Sequence, residues 1–402
     1  MQALEGIRVI DFSTGVAGPS CTKMLADFGA DVIKVEPAGG DPARSMPPFA
    51  KDEPGLERSL LFLHLNTNKR SITLDPRSEQ GHALLHDLIA TAQVVVEDGE
   101  PGELAALGLG YDELAAEHPG LVYASITPWG QTGPYASIGL RASEITLQAM
   151  GGPMNATGSP DREPLKLGGY TASLQAGSVA AFGIVAAVLR VEAGGEGDHI
   201  DVSIYETQAG TRDRRTSSLT SYFYQGSVSK RVMGGFALAS GVRPAADGHF
   251  NLIATGTARL NQFVEMIGRD DLIGDPRLDQ PPVMLDPAFV EEVGASYIAW
   301  AIDKPKREIV AEAQRRTLLS GAINTPADLL DDPHYRERGT WEVVDHPTTG
   351  PVEYPGRPFI MSETPRVAAR RAPLLGEHNV EVLTELGVAH ADLELLAAQG
   401  VI

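Results

Sequence analysis

The first feature that could bind a ligand is a glycine-containing segment that follows the first apolar stretch of the chain. This segment runs from Thr14 to Pro19, and within it Gly18 can bring the backbone close to a ligand. Gly18 could equally serve only to start a tightly packed helix. The spacing does not match the G-x-G-x-x-G pattern by which dinucleotide-binding folds hold a pyrophosphate. We therefore expect no nicotinamide cofactor.

Other charged or reactive residues also have ordinary structural interpretations. Glu36 and Asp41 follow a predicted strand, where carboxylates can contact a ligand or only orient the backbone. Cys21 falls inside a predicted helix and is more typical of a small core residue than of a nucleophile. A basic cluster indicates a solvated face or a subunit contact rather than a ligand site. It comprises Arg212, Arg214 and Arg215.

The composition is that of an acidic, soluble protein. The 402 residues carry a net charge of −20, so nucleic acid and anionic membranes would repel the chain. Cys21 is the only cysteine, which excludes an intramolecular disulfide and fits a reducing cytoplasm. We find no signal-peptide pattern at the N-terminus, and the longest apolar stretch, 179–189, is too short to span a bilayer. No metal site is predicted.

These groups must be positioned by the alternating strand and helix patterns of the first 130 residues. Strands are predicted at 7–12, 31–36, 71–74, 94–96 and 121–127. A helix from Pro19 to Phe28 joins the first two, which makes them parallel neighbours. The alternation predicts an α/β fold with a Rossmann-like, mainly parallel sheet. Ligand should bind beyond the carboxyl ends of these strands, near 12–18, 36–41 and 97–102.

We predict two domains and a returning C-terminal segment. Residues 1–224 form the large Rossmann-like domain, which includes a long helix from about Leu174 to Val191. The Ala- and Gly-rich face of that helix permits close packing of another backbone. Residues 225–325 form a smaller α+β domain, and residues 326–402 form a loop-rich segment that returns to the large domain.

An ordered set of motifs spans most of the chain. These are LEGIRVIDF at 4–12, AGP at 17–19, LADFGADVIKVE at 25–36, LNTNKRSI at 65–72, GQTGP at 130–134, QAMG at 148–151 and APLLGEH at 372–378. The set resembles the family III CoA-transferases, of the CaiB/BaiF type, which include formyl-CoA transferase, carnitine CoA-transferase and α-methylacyl-CoA racemase. The resemblance implies an interlocked dimer that binds coenzyme A (CoA) or acyl-CoA.

The resemblance also implies residues that bind CoA. The loop residues Thr14, Val16 and Ala17 correspond to a loop that lines the pantetheine channel in the family. Lys69 and Arg70 could contact the phosphates of CoA, or could be exposed charges that open a strand. Arg141 lies where the family often has a basic residue near the thiol end or the 3′-phosphate. It could equally be a surface arginine in a loop.

The catalytic position of the family is altered in this chain. The transferases carry a nucleophilic aspartate just before the long helix, and the alignment places Ser173 at that position. A serine there could simply cap the helix, and no histidine lies nearby in sequence to act as its base. The histidine of the racemases is also absent. Glu144 is the remaining acid of that stretch, and it could act as a base or only stabilise a helix N-terminus.

Three hypotheses on function follow. In the first, the chain is an enzyme that transfers CoA between carboxylic acids, or an acyl-CoA lyase, isomerase or racemase on the same fold. In the second, it is a catalytically degenerate subunit of a hetero-oligomer whose partner carries the aspartate. The third is a CoA-binding module without catalysis, which the persistence of so many site-lining segments disfavours. The sequence does not predict which acyl groups are bound.

Overall fold

The computed structural model describes residues 1–210, 214–228, 231, 238–280 and 284–402, with the backbone alone described at 210 and 214–219. The strands are β1 (Arg8–Asp11), β2 (Asp31–Glu36), β3 (Arg70–Thr73), β4 (Val94–Glu97), β5 (Val122–Thr127), β6 (Asp198–Ser203), β7 (Ser240–Ala245), β8 (Gly248–Ile253), β9 (Leu319–Ile323), β10 (Trp341–His346) and β11 (Gly350–Pro355). The α-helices are α1 (Ala17–Asp27), α2 (Leu60–Leu65), α3 (Glu79–Ala90), α4 (Tyr111–Glu117), α5 (Pro134–Ser137), α6 (Glu144–Met150), α7 (Thr171–Glu192), α8 (Ile204–Gly210), α9 (Arg214–Gln225), α10 (Thr257–Met266), α11 (Pro287–Ala301), α12 (Lys306–Arg315), α13 (Pro326–Leu330), α14 (Pro333–Glu337), α15 (Asn379–Glu385) and α16 (His390–Ala398).

Six parallel strands form the main sheet, in the order β3-β2-β1-β4-β5-β6. This is the strand order of Rossmann folds, and it confirms the predicted Rossmann-like α/β architecture. The direction in which successive strands are added reverses between β1 and β4. Loops that leave the carboxyl ends of these two strands therefore diverge and leave a crevice, which is where such sheets bind ligands.

Helices cover both faces of this sheet at its centre, so nearly every side chain of β1, β4 and β5 is buried. Successive side chains of a strand point to opposite faces. Val9 of β1 packs in one core with Cys21 of α1 and Ala180 of α7, while Ile10 packs in the other with Leu88 of α3. Cys21 is fully buried, as expected of a small core residue, and burial raises the pKa of its thiol.

Helix α7 packs unusually close to α1 through its small residues. A Cβ atom added to Gly177 would lie 2.0 Å from Ser20 Oγ and 2.6 Å from the carbonyl oxygen of Ala17. The predicted role of the Ala- and Gly-rich face is thereby confirmed, and its partner is α1. Among the described helices, α7 alone is long and apolar enough to cross a membrane, but Ala176 and Ala180 place it in the sheet's core.

Within the part of the chain that the structure describes, residues divide into two compact units. The first comprises Met1–Asn155, Lys166–Val228 and Glu337–Ile402, and the second comprises Ala156–Leu165 and Ser229–Arg336. The second unit has an antiparallel sheet, β7-β8-β9, packed against helices through Phe250, Phe263 and Tyr297. The domain boundaries predicted at 225 and 325 concern regions that fold separately, and they remain a prediction.

The C-terminal segment is bound to the edge strand β3. The Oδ1 of Asn379 accepts a hydrogen bond from the backbone N–H of Thr73 at 2.8 Å, and Nδ1 of His378 accepts from the N–H of Ser71 at 3.2 Å. Residues near 380 therefore pair with backbone groups that would otherwise form an open sheet edge.

Candidate functional site

A cleft of about 530 Å³ opens at the carboxyl edge of the main sheet. Its walls come from the residues that end or follow β1, β2, β3 and β4. Those that matter most here are Thr14, Glu36, Arg77, Glu97 and Asp98. The cleft includes the crevice between β1 and β4. Each of the three segments predicted to lie near a ligand contributes to its walls.

The three predicted loop residues do not share one environment. Thr14 lines the cleft, whereas Val16 and Ala17 are buried, with 8% and 6% exposure. Ala17 packs in the core against α7, and Val16 is the N-cap residue of α1. Of the three, only Thr14 is positioned to touch a ligand in this cleft.

The charges along the cleft are mostly negative. Glu36 is paired with the buried guanidinium of Arg44 at 2.7 and 2.8 Å. Burial alone would raise the pKa of Glu36, but the hydrogen bonds from Arg44 lower it below its usual value. Burial raises the pKa of Asp98 well above its usual range, and the carboxylates of Asp11 and Asp41 add to this effect, whereas the Thr14 N–H and the Lys34 ammonium oppose it. Arg77, which is exposed, is the one lysine or arginine among the cleft's described lining residues.

The structure does not place Lys69 and Arg70 at a phosphate site, which corrects the expectation. Lys69 is fully buried, and its ammonium group donates to Asp11, to the carbonyl oxygen of Pro19 and to Asn66 at 2.9–3.0 Å. These three bonds use all three of its protons. Neither reading made from the sequence fits Lys69, since it is neither exposed nor free to bind an anion.

Arg70 is likewise committed to carboxylates. Its guanidinium contacts Asp31 at 2.6 Å, Glu385 at 2.6 Å and Glu381 at 2.9 Å. The last two belong to α15, so Arg70 joins the C-terminal segment to β2 and β3. Lys69 and Arg70 are therefore not free to bind the phosphates of CoA.

Asp11 lies at the centre of the buried charges below the cleft. Burial alone would raise its pKa, but the ammonium groups of Lys69 and Lys34 and the hydroxyls of Ser13 and Thr22 outweigh burial and lower it to about 2. Burial is the larger effect on Lys69, whose pKa falls to about 8 despite the contact with Asp11. Asp11 therefore remains ionised in the folded protein across the neutral range.

A second polar centre brings together the two catalytic candidates, Glu144 and Ser173. The Ser173 hydroxyl donates to Oε2 of Glu144 at 2.8 Å, and the Ser173 N–H donates to the same oxygen at 3.3 Å. Oε1 of Glu144 accepts from the N–H of Ala172 at 2.6 Å and from Nε2 of Gln148 at 2.8 Å. Glu144, the first residue of α6, thus caps the N-terminus of α7 with a carboxylate.

This contact corrects the expected role of Ser173. Helix α7 begins at Thr171, three residues earlier than predicted, so Ser173 lies within its first turn and is not the N-cap. The N-cap residue is Tyr170, whose side chain makes no capping bond. The carboxylate of Glu144 supplies that cap instead, where an anion is stabilised by the free N–H groups of the helix.

The cleft loop and the Glu144–Ser173 pair flank one packing contact. Gly177, one turn after Ser173, lies against the first turn of α1. That turn follows directly from the loop that carries Thr14. This contact therefore joins α7 to the helix that follows the cleft loop.

The remaining candidates are Arg141 and the basic cluster. Arg141 is exposed in the segment before α6. In the basic cluster, Arg212 lies outside the described residues, and the side chains of Arg214 and Arg215 do too. The structure adds nothing to the expectation for that cluster.

Sequence reasoning missed two residues of these centres, Arg77 and Gln148, and it included Asp98 only as part of the segment 97–102. Arg77 follows the carboxyl end of β3, so the rule that located the cleft could have found it. Gln148 is fully buried and also accepts from the N–H of Leu167 at 2.9 Å. No sequence signal indicates that contact, because it depends on how α6 packs.

Comparison with known proteins gives a consistent result along the whole chain. The family model of CoA-transferase family III matches residues 4–379. The succinate–glutarate CoA-transferase of Agrobacterium fabrum is 34% identical over 390 residues, which is 95% of each chain. The BbsE subunit of the succinyl-CoA:(R)-benzylsuccinate CoA-transferase of Thauera aromatica is 29% identical, over 100% of this chain and 98% of that one.

A solved structure agrees with these matches. The crystal structure of a CaiB/BaiF family protein from Brucella suis superposes with a TM-score of 0.82 and 31% sequence identity. The superposition covers 96% of this chain and 99% of that one. Fold, motifs and relatives agree, and the chain belongs to CoA-transferase family III.

Proposed function

We propose that this chain binds an acyl-CoA in the cleft beside Thr14 and transfers CoA from one carboxylic acid to another, with Glu144 as the reacting carboxylate. Family membership and the names of its relatives support CoA transfer between acids. The single observation that carries the assignment of Glu144 is its contact with Ser173, at 2.8 Å. Position 173 is where the resemblance expects the nucleophilic carboxylate, and Glu144 brings a carboxylate to that point from another helix.

The proposed reaction needs no proton from solvent. The carboxylate of Glu144 attacks the thioester carbonyl, the C–S bond breaks, and CoA leaves as the thiolate while a mixed anhydride forms. The thiolate then attacks the glutamyl carbonyl, which releases the donor acid and leaves a glutamyl-CoA thioester. An acceptor carboxylate reverses these two steps and leaves as the new acyl-CoA.

Four hydrogen bonds oppose this reaction in the resting state, because they occupy both oxygens of Glu144. A carboxylate that accepts four bonds is a weak nucleophile, so one donor must move away first. The Ser173 hydroxyl can do so by rotating about a single bond, whereas the two backbone N–H groups are fixed in the helix. Ser173 therefore regulates the reactivity of Glu144 in this proposal.

A CoA-transfer assay on the purified chain tests the proposal, with succinyl-CoA as donor and glutarate as acceptor. Glu144→Gln should lower turnover by at least about 10²-fold, since the reacting group is lost. Ser173→Ala keeps the carboxylate and should stay active. The double variant Glu144→Gln with Ser173→Asp returns a carboxylate to the centre and should regain a CoA adduct, which mass spectrometry after hydroxylamine treatment would locate at position 173.

A second candidate function has its own support. The saturated hydrogen bonding of Glu144 also suits a purely structural cap, and no Asp or Glu lies in sequence between Glu163 and Glu192. One relative is itself named as a subunit of a CoA-transferase. In this alternative the chain is the non-catalytic subunit of a hetero-oligomer. If Glu144→Gln is fully active, and only when a subunit with an intact aspartate is added, this proposal replaces the first one.

A cytoplasmic, dimeric protein is part of the same proposal. The exposed apolar side chains of α7 include Phe182 at 74% and Leu189 at 59% exposure, which is unusual for a helix that also packs in a core. A second family III subunit, identical or related, is the proposed occupant of that face.

A further inference from the structure

The backbone of the cleft loop is held by charged side chains at four polar groups between residue 13 and the N–H of residue 15. The N–H of Ser13 donates to Asp11 at 3.0 Å, and the carbonyl oxygen of Ser13 accepts from Lys34 at 2.6 Å. The N–H of Thr14 donates to Asp98 at 2.8 Å. The N–H of Gly15 donates to Asp41 at 3.0 Å. These side chains come from β1, β2 and the segments that follow β2 and β4. The loop conformation is therefore fixed from three parts of the sheet.

Three of the four side chains are locked by partners of their own. Asp11 is paired with Lys69 at 3.0 Å, and Asp41 is paired with Lys34 at 2.8 Å. All of these are at most 2% exposed. They form the rigid floor of the loop and do not reach the cleft.

Asp98 differs from the other three because it also forms the wall of the cleft. It is half-buried, and its Oδ1 accepts both the N–H of Thr14 and, at 3.4 Å, the Thr14 hydroxyl. Thr14 is the loop residue that lines the cleft. Among the described residues that line the cleft, Asp98 is the one whose side chain accepts a hydrogen bond from the backbone of the loop.

The same contacts change what the loop can do for a ligand. In a dinucleotide-binding fold, free N–H groups at this turn bind phosphate. Here the N–H groups of Ser13, Thr14 and Gly15 already bind carboxylates, so they cannot also bind an anion. The loop acts as a preformed wall, and the phosphates of a ligand must be met elsewhere.

We propose that Asp98 is a positioning residue: through its bond to the Thr14 N–H it fixes the loop as one wall of the CoA cleft before the ligand arrives. This inference rests on the proposed function, since it takes CoA to be the ligand of the cleft. It predicts that Asp98 acts by accepting a hydrogen bond and not by its charge, because a negative charge beside an anionic ligand is unfavourable.

Two variants separate the hydrogen bond from the charge. Asp98→Ala removes the acceptor and should weaken CoA binding about tenfold, because the loop must then be ordered on binding. Asp98→Asn keeps an acceptor oxygen for Thr14 and should bind CoA at least as well as the wild type. Titration calorimetry with CoA measures both, and Asp87→Ala, on the exposed side of α3, is the matched control without effect.

Hydrogen exchange of the Thr14 amide gives a readout that needs no ligand. Exchange should be slow in the wild type and in Asp98→Asn and fast in Asp98→Ala. Wild-type CoA affinity in Asp98→Ala, or equal loss in both variants, would overturn this inference while leaving the proposed function intact. If the wild type itself fails to bind CoA, the proposed function fails, and the positioning role fails with it.

Discussion

At the scale of single residues, the contact between Glu144 and Ser173 carries the most information about chemistry. The sequence identified both residues but not their contact, since they are 29 positions apart and lie on different helices. It therefore treated Ser173 as a serine without a base. The structure supplies the carboxylate from α6, and it assigns to Glu144 the helix-capping role that was expected of Ser173.

Arg77 should contribute a phosphate contact, because it is the one cation among the described residues that line the cleft. Arg77→Ala should weaken CoA binding by roughly five- to tenfold, the effect of about 1 kcal/mol at an exposed site. Arg77→Lys should recover most of the affinity. Arg259→Ala, an exposed arginine of α10, is the control, and unchanged affinity in Arg77→Ala would show that the phosphates bind elsewhere.

At the scale of secondary structure, the strongly periodic elements were predictable and the short ones were not. The prediction of β2 at 31–36 is correct to the residue, and the strands predicted at 94–96 and 121–127 each differ from β4 and β5 by one residue. Each contains consecutive apolar residues that give a clear strand signal. The helix α2 was missed because it is six residues long, too short for a period to emerge.

The same limit explains why half of the candidate site was predicted. The ends of regular strands located the cleft, since strand order follows from the alternation of strands and helices. The charges of Lys69 and Arg70 were misassigned because a sequence does not show which carboxylates a cation will meet. Asp11, the carboxylate that pairs with Lys69, is 58 positions from it in sequence.

Gly177 should be the least replaceable residue of the α1–α7 contact. Its added Cβ would overlap Ser20 Oγ and the backbone oxygen of Ala17. A backbone oxygen cannot move away by rotation of a side chain. Gly177→Ala should lower the free energy of unfolding by about 1–3 kcal/mol. Gly294→Ala in α11 is the matched control, because nothing lies within 4 Å of its added Cβ and it should be stabilising by about 0.5–1 kcal/mol. Denaturant titration compares them; equal effects would contradict the close packing.

The stability that Asp11 contributes should be lost at acid pH. Asp11→Asn leaves the buried ammonium group of Lys69 without its paired carboxylate and should cost about 3–5 kcal/mol at neutral pH. The pKa of Asp11 is lowered in the folded state, so its contribution is present above its ordinary pKa and is lost as pH falls through about 2. The difference in unfolding free energy between wild type and Asp11→Asn should therefore shrink below about pH 4. A difference that stays constant down to pH 2 would contradict the assigned shift.

At the scale of the whole molecule, the acidic balance determines how the chain meets other molecules. The net charge is −20, and several of the cations, including Lys34, Arg44 and Lys69, are buried in ion pairs. Arg77 is the one cation among the described residues that line the cleft, so its position matters for an anionic ligand. Two copies of the chain would also repel each other strongly, so any dimer must be stabilised by apolar contact.

The exposed apolar face of α7 should provide that contact, and Phe182→Asp tests it. The substitution places a charge at a side chain that is 74% exposed, so folding should be unaffected, but burial in a dimer would become costly. Light scattering should show a dimer for the wild type and a monomer for Phe182→Asp. Leu395→Asp is the matched control, since Leu395 is 54% exposed on α16 and outside the proposed face.

Salt distinguishes apolar from ionic association: raising the salt concentration from about 0.05 M to about 0.5 M screens the repulsion between acidic chains and should strengthen the dimer. An assembly that weakens with salt, or that survives Phe182→Asp, would exclude α7 as the main contact.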